Sequence, residues 1–476
     1  MNSLQYFKSE RVMNTADIIC AISTAPGVGA IAVLRLSGRG CIALTDQFFE
    51  SPSEKKLVTV TANTVHFGRI VEAGEWVDEV LVTVFHAPHS FTGEESVEIS
   101  CHGSVYIQQR LLKLLVDGGA RLALPGEFTQ RAFLNGKMDL SQAEAVADLI
   151  ASSSAASHRM ALMQMKGSFS AELVRLRNEL LHITSLLELE LDFSEEDVEF
   201  ADRTELRKLA ENIEKLLTRL CDSFSLGNVI KNGVPVAIVG NTNVGKSTLL
   251  NALLREDRAI VSDIAGTTRD IIEDTINLNG ITFRFIDTAG IRKTTDEVES
   301  IGIERTFAKI VQASVVLLLT DLNRGVESFE EYYRQVKAHI SSEAKLIIVL
   351  NKTDQVEDLL TPQETIRLFT SGEKIIPISA RTGANVEVLI HELTDTVNLN
   401  ALNTSDVIVS NVRHYEALSH ALVAIQRVSA GLESGLSGEF VSQDIRECLH
   451  YLGEITGEIS TDEVLGNIFK HFCIGK

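Results

Sequence analysis

The stretch VPVAIVGNTNVGKSTLLNALL, residues 234 to 254, constrains the fold more than any other part of the chain. An unbroken apolar run leads into GNTNVGKS, Gly240 to Ser247, and a helical pattern follows. This is the strand, glycine-bounded loop and helix of a phosphate cradle. Backbone N–H groups close around the phosphates, Lys246 reaches the β- and γ-oxygens, and the Ser247 hydroxyl suits Mg²⁺. Further apolar strands, TFRFIDT, SVVLLLTD, KLIIVLNK and KIIPISA, alternate with helical segments up to about Asn398. That alternation predicts a mostly parallel α/β sheet.

Three more elements lie further along the chain, each after a strand. NKTD, Asn351 to Asp354, offers a carboxylate that accepts from guanine N1 and the 2-amino group, which adenine cannot match. SAR, comprising Ser379, Ala380 and Arg381, presents backbone N–H groups to guanine O6. Asp287, Thr288, Ala289 and Gly290 spell D-x-x-G, the element that watches the γ-phosphate. Between the first loop and D-x-x-G lies VSDIAGTTRD, where Thr268, with Thr267 adjacent, is the candidate Mg²⁺-ligating switch residue and Gly266 supplies mobility. The predicted GTP contacts are thus Asn243, Val244, Gly245, Lys246, Ser247 and Thr248, then Ser262, Asp263, Ile264, Ala265, Gly266, Thr267 and Thr268. Asp287 to Gly290, Asn351, Lys352, Asp354 and Ser379 to Arg381 complete the set.

Many GTPases carry a glutamine just after D-x-x-G to orient the attacking water. Here the position is Ile291. Charge near the transition state must come from elsewhere: an arginine finger such as Arg269 or Arg292, or a monovalent cation. Asn243, three residues before Lys246, offers a side-chain oxygen for such an ion, with carbonyls of the 262–267 loop completing the shell. For the water, the acidic segment DEVES offers Glu297 and Glu299.

The rest of the chain has two other textures. Residues 14 to 135 alternate β-rich runs (DIICAIST, AIAVLRLSG, EVLVTVFHAP, ESVEISCHG) with turns and one helical segment, SVYIQQRLLKLLVDGG, predicting an α+β domain. From Met138 to about Asn228 apolar residues recur three and four apart, as do those of VRHYEALSHALVAIQRVSAGLESG and EFVSQDIRECLHYLGEIT near the C-terminus. The fold class expected is therefore multidomain α/β and α+β, with an all-α helical domain interrupted by the inserted P-loop α/β domain. Two separate helical domains are the alternative. The boundaries expected are 1–136, 137–231, 232–398 and 399–476.

A formal net charge of −21 argues against binding nucleic acid by bulk electrostatics, so an RNA substrate needs a local patch or a more basic partner. The six cysteines are scattered with no C-x-x-C pair, which fits a reducing cytoplasm better than a zinc site or a disulfide framework. No apolar run approaches the roughly 20 residues of a membrane span, and no secretory signal is expected.

The segments GNTNVGKSTLLNALL, IVSDIAGTTRD, IDTAGIRKTTDEVESIGIERT, SFTGEESVEISCHG, PGEFTQRAFLNGKMDLSQAEAVADLI and FCIGK together resemble the MnmE (TrmE) family of tRNA-modification GTPases, from about residue 14 to Lys476. The resemblance implies a folate-binding N-terminal domain that dimerises, a split helical domain and an inserted G domain. It implies a cytoplasmic homodimer that acts with an FAD-dependent partner, MnmG (GidA), in a heterotetrameric or larger complex. Together these install an aminomethyl or carboxymethylaminomethyl group on carbon 5 of the wobble uridine of certain tRNAs. In the family potassium replaces the arginine finger. Asn243, with the carbonyls of Ser262 and Ile264 and with Thr267, matches its shell, and Glu299 matches the water-orienting glutamate. The catalytic set implied is Glu299, Lys246 and Asn243. Arg35, Glu98, Lys137 and Lys476 match positions contacting a tetrahydrofolate derivative, 5-formyl or 5,10-methylene. Cys473 is either a nucleophile or a small buried apolar residue. The competing functional class is a GTP-dependent RNA-binding or ribosome-assembly switch.

Overall fold

The computed structural model describes residues 17–192, 203–257, 274–286, 310–321, 326–342, 344–356, 363–364, 366–367, 370, 372–396, 407–470 and 472–475. The chain divides into two units, one formed by 1–147, 164–177 and 450–476, the other by 148–163 and 178–449.

The first unit is built on a seven-stranded sheet. Its strands are β1 (Ile19–Ile22), β2 (Ile31–Ser37), β3 (Phe49–Glu50), β4 (Thr64–Glu72), β5 (Glu75–Phe85), β6 (Ser96–His102) and β7 (Arg121–Leu122), in the order β3-β4-β5-β6-β2-β1-β7. Every pairing is antiparallel except β1 with β7. Alternate residues of the central strands, including Leu34, Leu36, Val82, Val84, Val97 and Ile99, face a core completed by helices α1 (Cys41–Asp46) and α2 (Val105–Asp117). The period of two puts the intervening residues on the opposite face, where Arg35 of β2 lies directly across from Glu98 of β6. Helix α3 (Glu127–Leu134) follows, and α4 spans Leu140–Ala151.

Helices α5 (Ala155–Met165), α6 (Ser168–Asp192) and α7 (Arg203–Asn232) carry the chain to the second sheet. Its strands are β8 (Val234–Gly240), β9 (Asp274–Leu278), β10 (Ile281–Phe285), β11 (Val315–Asp321), β12 (Lys345–Asn351) and β13 (Lys374–Pro377), in the order β13-β12-β11-β8-β10-β9. All pairs are parallel except the β9–β10 hairpin. Helices α8 (Lys246–Asp257), α9 (Val326–His339) and α10 (Val386–Thr396) accompany these strands. Residues of β8 and β11 alternate between two cores: Val236, Ile238 and Leu317 meet Leu249 and Leu389, whereas Ala237, Val239 and Leu318 meet Phe329 and Val336. Burial on both faces is why these strands read as continuous apolar runs.

Three helices close the chain: α11 (Val412–Ser434), α12 (Gly438–Thr456) and α13 (Asp462–Phe469). Helix α11 packs along α7. Phe224 stacks on Tyr415 with ring centroids 4.5 Å apart, Arg207 Nη2 donates to the Leu432 carbonyl at 2.8 Å, and Ser429 Oγ donates to Glu214 at 3.1 Å. Helices on either side of the parallel sheet in sequence thus pack on each other, so the α/β segment is an insertion and the reading of two separate helical domains falls. Among the described residues no helix is long and apolar enough to cross a membrane.

Candidate functional site

At the carboxyl ends of β8, β12 and β13, three loops are joined by one side chain. Asn351, 2 % exposed, donates through Nδ2 to the Val244 carbonyl at 2.8 Å and accepts through Oδ1 from the Ala380 N–H at 3.0 Å. It therefore fixes the phosphate loop to the SAR loop. Removing it strands a buried N–H, at a cost of about 1–3 kcal/mol. Gly245 lies against the same amide at φ +101°, where an added Cβ would come within 2.2 Å of Nδ2. Only glycine permits that approach. Asn243 also occupies the left-handed region, at φ +62°, and is exposed.

Lys246 Nζ donates to the carbonyls of Gly240 at 2.6 Å and Asn241 at 2.9 Å, which holds the ammonium over the loop. Ser247 is half-buried in the first turn of α8. Helix dipole, ammonium and a loop of backbone N–H groups form a fit for a triphosphate. Among the described residues no group of three His, Cys, Asp or Glu side chains stands ready for a metal. A magnesium ion here would rely on the Ser247 hydroxyl, phosphate oxygens and water, the hard oxygen set it prefers.

The base-recognition loops are equally organised. Asp354 accepts from Ser379 Oγ at 2.6 Å and pairs with Arg381 Nη2 at 2.7 Å. The Ser379 hydrogen bond holds its carboxyl below the usual carboxylate range, and Arg381 adds to this. It stays an ionised acceptor at neutral pH, as a guanine edge requires. Lys352, at φ +66°, reaches back to the buried Asp321 at the end of β11 with a 2.5 Å contact. Ser262, Asp263, Ile264, Ala265, Gly266, Thr267, Thr268, Asp287, Thr288, Ala289, Gly290 and Glu299 lie outside the described residues, as do Arg269, Arg292 and Glu297.

The first unit carries a second constellation. Arg35 donates through Nε at 3.0 Å and Nη2 at 2.7 Å to a single oxygen of Glu98, Oε1. Its guanidinium lies 5.5 Å from the Phe91 ring centroid and 5.8 Å from that of Phe128. The pair is thus neutralised and oriented, and among the described residues Glu98 Oε2 accepts no hydrogen bond. Lys137 Nζ donates to the Pro88 carbonyl at 3.1 Å. The C-terminal tail joins the same unit: Ser23 Oγ donates to the Gly475 carbonyl at 3.2 Å, and the Gly126 N–H to that of Cys473 at 3.4 Å. Ser23 follows β1, whose Ala21 pairs with Arg35. Lys476 lies outside the described residues.

Cys473 is exposed, which overturns its reading as a small buried apolar residue. Cys20, Cys41, Cys101 and Cys448 are the buried ones, and burial pushes their thiols up, those of Cys20 and Cys101 to about 11.

Beneath this face sits an ionic cluster that no motif announced. Arg131, 2 % exposed, reaches the carbonyl and carboxylate of Asp17 at 2.9 and 2.7 Å, and Glu94 and Glu127 at 3.2 Å. Arg121 pairs with Asp17 and Glu127, both at 2.5 Å. Burial pushes the Glu127 and Asp17 carboxyls up, but Arg121 and Arg131 outweigh it and hold both below the usual range. The sequence signal was Glu127 and Arg131 four apart, one helical turn. The partners of Arg35 among the aromatics, Phe91 and Phe128, carried no comparable signal.

Two family profiles match the chain: "GTP-binding protein TrmE N-terminus" over residues 18–137 and "MnmE helical domain" over 140–473. A protein named tRNA modification GTPase MnmE in Parabacteroides distasonis is 58% identical over 461 residues, 96% of this chain and 99% of that one. Proteins of the same name are 56% identical in Bacteroides thetaiotaomicron, over 97% of this chain and 99% of that one, and 54% in Flavobacterium johnsoniae, over 98% and 100%. Among solved structures, elongation factor SelB of Methanococcus maripaludis with a GTP analogue aligns over 37% of this chain and 35% of its own at 20% identity, with a TM-score of 0.26, which adds nothing to the argument. With matched relatives and family profiles along nearly its whole length, this chain belongs to the MnmE (TrmE) family of tRNA modification GTPases.

Proposed function

We propose that the chain is a potassium-stimulated GTP hydrolase. With an FAD-dependent partner, MnmG (GidA), it supports addition of an aminomethyl or carboxymethylaminomethyl group to carbon 5 of the wobble uridine in certain tRNAs. The observation that supports the hydrolase part is the Asn351 bridge, which joins the phosphate loop to the SAR loop, where Ser379 in turn holds the Asp354 carboxylate. Lys246 neutralises the β–γ oxygens, Ser247 and Thr268 ligate Mg²⁺, and Asp354 reads guanine. Asn243 contributes its side-chain oxygen to potassium with Ser262, Ile264 and Thr267, so the ion supplies charge that no glutamine or arginine provides. Glu299 orients the water. The exposed position of Asn243 beside the phosphate loop supports its role.

In the first unit, Arg35, Glu98, Lys137 and Lys476 hold a tetrahydrofolate derivative. Glu98 Oε2 takes the pterin N–H groups, and of the two rings near Arg35 the partly buried Phe91 is the one able to meet the ligand. Two copies of the chain pair through this N-terminal region, and the working compartment is the cytoplasm.

The test is GTP turnover in KCl against NaCl at equal ionic strength, for the unaltered chain and Asn243→Ala, with tRNA modification in the presence of the flavin partner read in parallel. Turnover and modification should both require potassium, and Asn243→Ala should lose the dependence. Turnover indifferent to the cation would remove the potassium site and return Arg269 to consideration.

A further inference from the structure

On the second unit, at the amino ends of β12 and β13, lies a cleft of about 630 Å³ lined by Lys337, Lys345, Arg367 and Lys374 with Glu373 and Glu392. Its volume falls within the range that takes a ligand, about 300–1,000 Å³. The two carboxylates are largely buried, at 7 % and 15 % side-chain exposure, and both are engaged. Glu373 Oε1 accepts from Lys337 at 2.6 Å and from Tyr333 at 2.9 Å. Glu392 is shared, with Lys345 at 2.8 Å and Lys374 at 3.5 Å. These hydrogen bonds from lysines, that of Lys345 foremost, hold the Glu392 carboxyl below its usual range, so it stays charged. Among the described residues Arg367 has no ion-pair partner. Four cations thus face two spent carboxylates, and the surplus positive charge points to solvent through half-exposed lysines.

This surplus stands on a chain of net charge −21, which repels a polyanion everywhere it is not locally reversed. The cleft is also remote from the nucleotide. Lys345 opens β12 and Asn351 ends it, so about six residues at roughly 3.3 Å each, or about 20 Å, separate the two ends. A ligand held there leaves the phosphate loop free.

We propose that this cleft holds the tRNA, through backbone phosphates seated among Lys337, Lys345, Arg367 and Lys374. The inference rests on the tRNA reading given above, and adds to it the surface that meets the RNA. Contacts of this kind position without reading sequence and weaken with salt, by a slope of about 0.7–0.9 per phosphate in log affinity against log salt concentration.

The experiment measures binding of an unmodified tRNA transcript to the full chain across a KCl series from about 50 mM, with GTP turnover recorded on the same samples. In Lys337→Gln/Lys374→Gln, binding should weaken about tenfold and the salt slope should become shallower by about 1.5, with turnover unchanged. Lys337→Arg/Lys374→Arg should bind as the unaltered chain does, because charge rather than shape is at stake. Unaltered affinity and slope in the glutamine variant would overturn the proposal. So would loss of poly-glutamate binding with tRNA binding intact, which would assign the cleft to an acidic protein. Failure of the unaltered chain to bind the transcript while it turns over GTP would overturn the cleft and leave the hydrolase reading standing. Absent turnover with tRNA binding that responds to the variants would refute the hydrolase reading and support the cleft.

Discussion

In the parallel sheet the motif residues stand at strand ends and are organised through backbone: Asn351 ties the Val244 carbonyl of one loop to the Ala380 N–H of another. In the mixed sheet the paired charges stand on the face and meet through side chains: Arg35 and Glu98, 63 residues apart in sequence, are brought together because β2 and β6 pair in one register. The first arrangement depends on where the chain turns, the second on how strands are aligned. A one-residue slip of β2 against β6 would turn Arg35 into the apolar layer and away from Glu98, whereas the phosphate loop is set within a single strand–loop–helix unit.

The comparison can be broken from either side. The largest effect is expected from Gly245→Ala, which combines backbone strain of about 1–3 kcal/mol with lost hydrogen bonds of about 1–3 kcal/mol each, and so about 1,000-fold or more in GTP affinity. A fluorescent GTP titration checks this, and the first unit's thermal transition should not move. Near-normal affinity would show that the Asn351 contact does not shape the loop.

Arg131→Met acts on the other sheet. It leaves Glu127 and Glu94 without this cation and should cost about 3–5 kcal/mol. Differential calorimetry should show the loss in one transition only, with GTP affinity retained in the cold. A uniform shift of every transition would mean that the two units unfold together. The smallest effect is that of Arg35→Ala. It removes a partly exposed pair, and its expected outcome is roughly tenfold weaker binding of 5-formyltetrahydrofolate with GTP turnover unchanged. Undiminished binding would move the folate site away from β2.

Several elements escaped the sequence reading for definite reasons. Helix α3 lies in a stretch read as strands and turns. Beside Phe128 and Ala132 it buries Glu127, Thr129, Gln130 and Arg131, so its apolar stripe is short and broken by polar residues. Strand β4 leaves a weak sequence signal because its outward residues include Val65 and Phe67, both more than half exposed, which blurs the alternation. The short α13 is marked in the sequence by its Thr461 cap, whose hydroxyl accepts from the Val464 N–H at 3.4 Å. The strands of the parallel sheet, by contrast, lie where their apolar runs put them.

What the sequence determined by itself was the nucleotide chemistry, because G-x-x-x-x-G-K-S, N-K-x-D and S-A-R are contiguous runs whose local backbone geometry is their function. The texture of the three regions was legible for a similar reason, since periodicity is a local property. Only the tertiary structure decided that α7 and α11 are neighbours, that Arg35 is held by Glu98 between two phenylalanines, and that the chain's tail returns to Ser23 and Gly126. It also decided that Lys337, Lys345, Arg367 and Lys374 share one cleft. Those groupings join residues tens to hundreds of positions apart, and nothing in a local pattern records which distant surfaces burial will bring together.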